Sequence, residues 1–524
     1  MGKSIGIDLG TNNTVVTYEN KKGNLVSLKI KGASSRDVIP SVLFFKSEDE
    51  WVIGKEAVDL APLYPQAVIR QFKSHLDDSK YKYAIVAENG DEFKITSRKA
   101  VTFFLNKLIK GIEDKLVKEF GTVDGIIEKV VITVPAKFNS SQKELTRKAA
   151  ENAGFDVVKL APEPAAAAIA YQKGQEIDED ITVLVYDFGG GTFDISVMQK
   201  NQGKYVEIET NGDKELGGNN LTNYIVEDFL VKIASIINLD MPLDEDEFDE
   251  DDCGISFKDY KKNMEQIIDA ANNAKEELSA VLTTNVVIPL KVADGANKNV
   301  SFEYSRKEIE QLISRDIRHT IDLTENTVNA VKDRGIKIDK IVLAGGTSNI
   351  PLIHELIKDA FPEYFVNADE DYSTLISRGA ALLSKGIEEE MSGITNSQLG
   401  VSYIDGVIYN KFKMIVPENS ELPCSGSHVF GIAHDNQRQL SISYYDYDVK
   451  NYPNKIRIDE KGISLIDSLI VSLPAGLKKD NTEVEVFFNC MLDGSIDIKV
   501  EVRDKNGKQL VEKDISYVKE SQLE

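Results

Sequence analysis

The chain has 524 residues, 42% hydrophobic and 28% charged, which is long enough for two or three domains with large cores. A formal charge of −24 argues against a general nucleic-acid or anionic-membrane binder, since either partner would be repelled. Cys253, Cys424 and Cys490 have no metal-ligand or redox spacing and are read as reduced structural thiols, and the five histidines make no zinc pattern.

The N-terminus enters a strand at once, without a signal-peptide pattern, and no apolar run approaches the ~20 residues that span a bilayer. A cytoplasmic protein is expected. That first strand reads Ser4-Ile5-Gly6-Ile7-Asp8-Leu9-Gly10-Thr11 and is followed by a second around Val15-Val16. Gly2-Lys3-Ser4 lacks the upstream glycine of a Walker loop. Short strands continue to about Val52. Residues 97–120 carry helical periodicity, with Ser97 as the expected N-cap. The apolar run from Val130 to Val134 fits a buried strand ended by Pro135, and a helix over Ser140–Ala153 stops at Gly154.

A second hairpin of the same design follows: Val183-Leu184-Val185-Tyr186-Asp187-Phe188-Gly189-Gly190-Gly191-Thr192-Phe193-Asp194, then Ile195-Ser196-Val197. Each hairpin is an apolar strand, an aspartate, glycine and threonine, then another strand. The glycines let backbone N–H groups approach phosphate oxygens, and the aspartates supply hard oxygen ligands for Mg²⁺ through water. One such turn only reverses a chain; two imply a duplicated architecture with the ligand clamped between halves. Residues 240–253 are acidic and are expected as a solvated loop, since Phe248 takes a ligand position of an EF-hand. Val342-Leu343-Ala344-Gly345-Gly346-Thr347-Ser348 is a third glycine turn, either a seat for a flat ring or α-phosphate or a plain helix entry. Strands and helices alternate up to this point, an α/β pattern. Near residue 386 the chain turns polar, and beyond it short alternating strands recur at Gly406–Tyr409, Leu440–Tyr445, Glu483–Phe488 and Ile496–Val502. Asp493-Gly494 and Asn506-Gly507 supply turns between them, the pattern of an all-β domain.

Taken together, these segments resemble the seventy-kilodalton heat-shock chaperones (the heat-shock protein 70 family) of the actin and sugar-kinase superfamily. Val131–Asn139 looks like that family's strand and Pro-Ala-x-Phe turn, Ala161–Ala167 like its Glu-Pro-x-Ala-Ala-Ala segment, and Thr210–Asp213 with Leu216-Gly217-Gly218 like its third signature. The likeness covers nearly the whole chain. It implies a duplicated, two-lobed actin-like ATPase over 1–386, a linker over 387–397 and a peptide-binding β-sandwich over 398–524. It also implies ATP/ADP and Mg²⁺ as cofactors.

By resemblance, Asp8 and Asp187 hold Mg²⁺ by way of water, and Thr11 and Thr192 offer hydroxyls to phosphate. Glu163 orients or deprotonates the attacking water, Pro135 carries motion to the other domain, and Lys73 neutralises charge building on the γ-phosphate. Gly10, Asn12, Asn13, Gly189, Gly190, Gly191, Gly217, Gly218, Gly345, Gly346 and Thr347 complete the nucleotide cradle, with Lys275, Ser279 and Asn349 on the nucleoside side. From the sequence alone Lys73 is also readable as a surface lysine and Lys275 as a solvated helix lysine. Several residues depart from the family pattern. Asn12 replaces a threonine, Pro162 an asparagine, Asn272 a glutamate and Asn349 an arginine that stacks on adenine. Lys159 stands where co-chaperones with a J-domain meet an arginine, and Glu389-Glu390-Met391-Ser392-Gly393-Ile394 replaces a leucine-rich linker.

In the β-domain Val401, Ile404, Phe430, Leu440 and Ile442 line the expected peptide groove, or are simply core. The helical lid that closes the family's groove has no counterpart before Glu524. Expected partners are extended or unfolded peptides, a J-domain co-chaperone and a nucleotide-exchange factor, with neither nucleic acid nor membrane. The competing readings are an exchange-type regulator that binds ATP with little hydrolysis, a filament-forming actin-like protein and a small-molecule kinase.

Overall fold

The computed structural model describes residues 3–29, 38–76, 81–121, 126–136, 138, 140–155, 158–174, 180–201, 204–293, 295–364, 372–386, 391–392, 395, 397–405, 408–418, 420–447, 449, 452–491 and 496–515. Lys137 and Asn139 of the Pro-Ala turn, Glu389, Glu390, Gly393 and Ile394 of the linker, Gly406 and the Asp493-Gly494 turn lie outside them, as does the C-terminus at Glu524. Two compact units emerge. One comprises Met1–Ala136, Ala149–Gln202 and Ile208–Glu388; the other comprises Lys137–Lys148, Gly203–Glu207 and Glu389–Glu524. No helix among the described residues is long and apolar enough to cross a membrane.

The first unit is mixed α/β. In its six-stranded sheet Lys3–Leu9 lies antiparallel to Asn13–Glu19 and parallel to Ile127–Val134, which in turn pairs in parallel with Val158–Pro162. A second sheet repeats the local pattern. Thr182–Phe188 lies antiparallel to Phe193–Asn201 and parallel to Lys340–Ala344. The central strands are apolar on both faces, as expected where helices cover a sheet; every residue of Thr182–Phe188 is buried. Leu184, Tyr186, Phe188, Phe193, Ile195 and Val197 share one core with the helices Gly218–Ile237, Phe257–Leu278 and Arg306–Asp333.

Two helices lie close together behind the first sheet because their contact faces carry small residues. Glu163–Gly174 contributes Ala165 to Ala168, all buried, and Leu375–Ser384 contributes Gly379. A methyl group on Gly379 would lie 1.9 Å from the Ala166 carbonyl oxygen, so no larger residue fits at this crossing. Pro162 occupies an edge strand, where its missing N–H breaks no ladder on the open side.

Two local expectations are corrected. The helix Ser97–Phe120 is capped by Thr96, whose hydroxyl accepts from the Lys99 N–H, while Ser97 donates to the Phe72 carbonyl. The acidic stretch is partly helical: Glu245–Glu247 is a 3₁₀ turn and Glu250–Cys253 a short helix. Asp244 and Asp249 accept N–H bonds at their starts, so carboxylates there cap orphan donors. The three cysteines are free, as expected of reduced thiols, and the sheet brings two of them together.

The second unit holds two four-stranded antiparallel sheets. One runs Ile408–Val416, Gln398–Asp405, Gln439–Tyr447, Ile463–Ser472; the other runs Cys424–Gly431, Thr482–Cys490, Ile496–Asp504, Gln509–Ile515. Alternation is strict in Thr482–Cys490, where every second residue enters the core. Residues of both sheets, among them Leu399, Val401, Ile442, Val471, Val486, Phe488 and Val500, form one apolar cluster. Within this unit Tyr205 and Val206 pair in parallel with Met391 and Ser392. Cys424 and Cys490 face each other across neighbouring strands, a pairing that their sequence separation hides.

Candidate functional site

The two aspartates of the matched hairpins occupy equivalent places, each one residue from the C-terminal end of its strand. Ligands of open α/β sheets collect at that end. Glu163 opens a helix directly after the edge strand Val158–Pro162, and Gly345 follows Lys340–Ala344. These strand ends border a cleft of about 990 Å³ within the first unit, a volume suited to a nucleotide-sized ligand.

Its floor is acidic. Asp8 accepts from Thr133 Oγ1 at 3.2 Å, because the parallel register sets those two residues side by side. Asp187 sits directly opposite Asp194 in its hairpin. Burial, opposed by the Lys73 ammonium and the Thr133 hydroxyl, pushes Asp8 up to about 6. Burial raises Asp187 well above the carboxylate range, with help from Asp194 and Asp8 and against Lys73. Glu163 is raised likewise by burial and by Asp8, Asp187 and Asp194, again against Lys73. Four carboxylates thus act on one another around a single buried lysine, whose Nζ also donates to the Leu9 carbonyl. Lys73 is 7% exposed and is not a surface lysine.

The glycine turns form the walls. Gly10, Thr11, Asn12 and Asn13 of one turn and Gly189, Gly190, Gly191 and Thr192 of the other line the cleft and lie close against each other, since a methyl group on Gly191 would fall 2.9 Å from Thr11 Oγ1. Gly217 stands behind the lining, and a methyl group on it would lie 2.4 Å from the Gly191 carbonyl carbon. The N–H groups of Gly218 and Asn219 donate to Gly189 and Gly190 carbonyls, tying the two turns together. Gly345 has φ +81°, and a methyl there would meet the Asp187 carboxylate at 2.5 Å. Thr347 donates to the Gly189 carbonyl at 2.8 Å, while Gly346 is open. Thr192 donates to Asp194 at 2.8 Å.

On the nucleoside side, Lys275 Nζ donates to Gly218 O at 2.8 Å, Thr222 Oγ1 at 2.5 Å and Asn272 Oδ1 at 3.4 Å. Burial lowers this lysine to about 8. Ser279 donates back to the Lys275 carbonyl at 3.0 Å, and Asn349 donates to Gly346 O at 3.0 Å. Asn272 accepts from Thr222 at 2.9 Å, so its amide oxygen serves the protein.

The expected groove residues belong to the second unit. Val401 and Ile442 are buried in its core, Phe430 and Leu440 are half-buried against it, and Ile404 is 55% exposed. Phe430 has His428 at 4.8 Å between ring centroids and Tyr403 at 6.2 Å. Lys159 is exposed.

Other cleft residues escape sequence reasoning. Asn219 accepts from the Asn12 amide across the site. Arg70 pairs with Glu265 at 2.7 Å and Asp269 at 3.2 Å, joining the strand Val68–Arg70 to the helix Phe257–Leu278. No local pattern could have found partners so distant along the chain; only Asp194, inside the second hairpin, was open to view. A family model described as "Hsp70 protein" matches residues 4–523, nearly the full length, and the chain belongs to the Hsp70 family.

Proposed function

We propose that this chaperone of the Hsp70 type binds and hydrolyses ATP in the acidic cleft, within a duplicated actin-like unit of two lobes. Its nucleotide state would set peptide affinity in a C-terminal β-sandwich. The observation that carries this reading is the convergence of Asp8, Asp187 and Glu163 around buried Lys73, walled by three glycine turns. Such a floor is too negative to stay ionised by itself, and a divalent cation relieves it, so Mg²⁺ suits the site. Among the described residues no three acidic, histidine or cysteine side chains are close enough to chelate a metal directly, which favours contact through water. Asp8 and Asp187 would hold the ion in that way. When bound with a triphosphate, it neutralises the oxygens and orients the leaving group.

The chain's own groups supply the rest. Glue between ligand and walls comes from backbone N–H groups of the glycine turns and the hydroxyls of Thr11 and Thr192. Lys73 sets a fixed positive charge beside the reacting phosphate. Glu163, whose proton affinity burial and the neighbouring carboxylates raise, can orient a water and take its proton once a cation in the cleft favours its ionised form. Lys275, Ser279 and Asn349 meet the nucleoside. Val401, Ile404, Phe430, Leu440 and Ile442 would meet an extended peptide, and a J-domain co-chaperone and an exchange factor are the proposed partners.

A second reading, ATP binding with little hydrolysis, is favoured by Asn12, whose amide is held by Asn219, and by Thr192, whose hydroxyl is directed to Asp194. Single-turnover ATPase of the wild type and of K73A separates the two. Measurable wild-type turnover that K73A abolishes supports hydrolysis in this cleft, whereas nucleotide binding with negligible wild-type turnover supports the second reading. Apolar peptide that alters neither rate nor nucleotide affinity removes the coupling.

A further inference from the structure

The paired strands Cys424–Gly431 and Thr482–Cys490 set Cys424 directly opposite Cys490. Facing residues of an antiparallel pair have Cα atoms about 4.5–5.5 Å apart, inside the range of about 4.4–6.8 Å that a disulfide spans. Both thiols are free, and the Cys424 thiol acts directly on that of Cys490. Cys424 is half-buried at the start of an edge strand, whereas Cys490 is buried on the inner strand of the same sheet that pairs with it. Cys424 thus lies at the margin of the apolar cluster, and Cys490 is enclosed within it.

We propose that Cys424 and Cys490 form a dithiol site that a low-molecular-weight disulfide oxidises to a cross-strand bridge. In the first step the Cys424 thiolate attacks one sulfur of the reagent. A mixed disulfide forms, the reagent's own S–S bond breaks, and one thiolate leaves. In the second step the Cys490 sulfur attacks Cys424 Sγ. The protein bridge forms and the remaining half of the reagent departs as a thiol, carrying the Cys490 proton. Two electrons pass from the protein to the reagent, which is reduced to two thiols. The division of labour follows from exposure: burial holds the Cys490 thiol up at about 12, so it is a poor first nucleophile but an adjacent resolving one. The bridge would fasten the edge strand that carries His428 and Phe430 to its neighbour. The inference rests on the β-unit alone and is independent of ATP chemistry.

The test is incubation of the native full-length chain with oxidised glutathione, followed by thiol counting in denaturant and intact-mass measurement. The expected result is a fall from three thiols to one, with Cys253 retained, no remaining adduct, and a mass loss of about 2 Da. A persisting adduct on wild type, three retained thiols, or a bridge to Cys253 or to a second chain would overturn it. C490A should trap a lasting glutathione adduct on Cys424. C424S, altered at a half-buried position and so least disturbing to the fold, should lose no thiol at Cys490; oxidation of Cys490 in that variant contradicts the assigned order.

Discussion

Burial and neighbouring charge compete for the proton of Asp8, and burial wins by lifting it from 3.8 to about 6. Between those values the folded chain holds a proton that the unfolded chain has released. This group's contribution to stability is therefore present at low pH and is lost as pH rises through about 6. A cation in the cleft demands the opposite charge state. Mg²⁺–ADP binding is expected to release protons near pH 6 and to weaken as pH falls below it; calorimetry in buffers of different ionisation enthalpy checks this, and D8N should flatten the trend. Lys275 gives the mirror case. Lowered from 10.5 to about 8, it is neutral when folded but charged when unfolded between those values, so its contribution to stability rises with pH there. Nucleotide affinity should instead decline above about 8, and K275M should bind roughly tenfold more weakly (~1.4 kcal/mol) while leaving the unliganded chain at least as stable at neutral pH. Asn12 shows where reading by residue stops. The sequence reveals a lost threonine hydroxyl, but the amide's partner Asn219 arrives from a helix far along the chain, and only folding shows them bonded.

Among elements, the hairpins were legible because alternating apolar strands, an aspartate and glycine turns are all local features. Their duplication also implied that they face one ligand, but the residues completing the cleft were hidden, since these depend on which strands pair in parallel and on helices that bring Arg70 to Glu265 and Asp269. The helix start at Thr96 shows a similar limit: Thr96 and Ser97 are equally good caps by composition, and tertiary demand for a donor at the Phe72 carbonyl decides between them. The Arg70 cluster ties an element bearing one wall of the cleft to the helix that carries Lys275. Its guanidinium sits between both carboxylates, and burial nevertheless raises Asp269 to about 6. R70A leaves those carboxylates without their cation and frees the wall. Release of a fluorescent ADP analogue should quicken by about tenfold, equivalent to ~1.4 kcal/mol, as read by stopped flow. An unchanged rate would mean that this contact is only structural.

At the scale of the whole molecule, a nucleotide-driven change in peptide affinity requires the two units to exchange free energy. Composition and the linker's polar character are the sequence signals for a change from α/β to all-β, but coupling is a difference between states and leaves no pattern in one sequence. If ATP in the first unit alters peptide affinity in the second by some factor, peptide must alter ATP affinity by the same factor, because both binding orders reach the same doubly bound state. Anisotropy of a labelled apolar peptide, titrated with and without saturating ATP in a K73A background to prevent turnover, gives one factor. Calorimetry of ATP on the same variant with and without peptide gives the other. Equal factors different from unity are the expected outcome, and a factor of one in both titrations would leave the units thermodynamically independent. Peptides with basic flanks should associate faster with a chain of net charge −24, an advantage that added salt removes. The coupling factor itself should be largely insensitive to salt, since its two titrations share the same long-range attraction, which cancels between states.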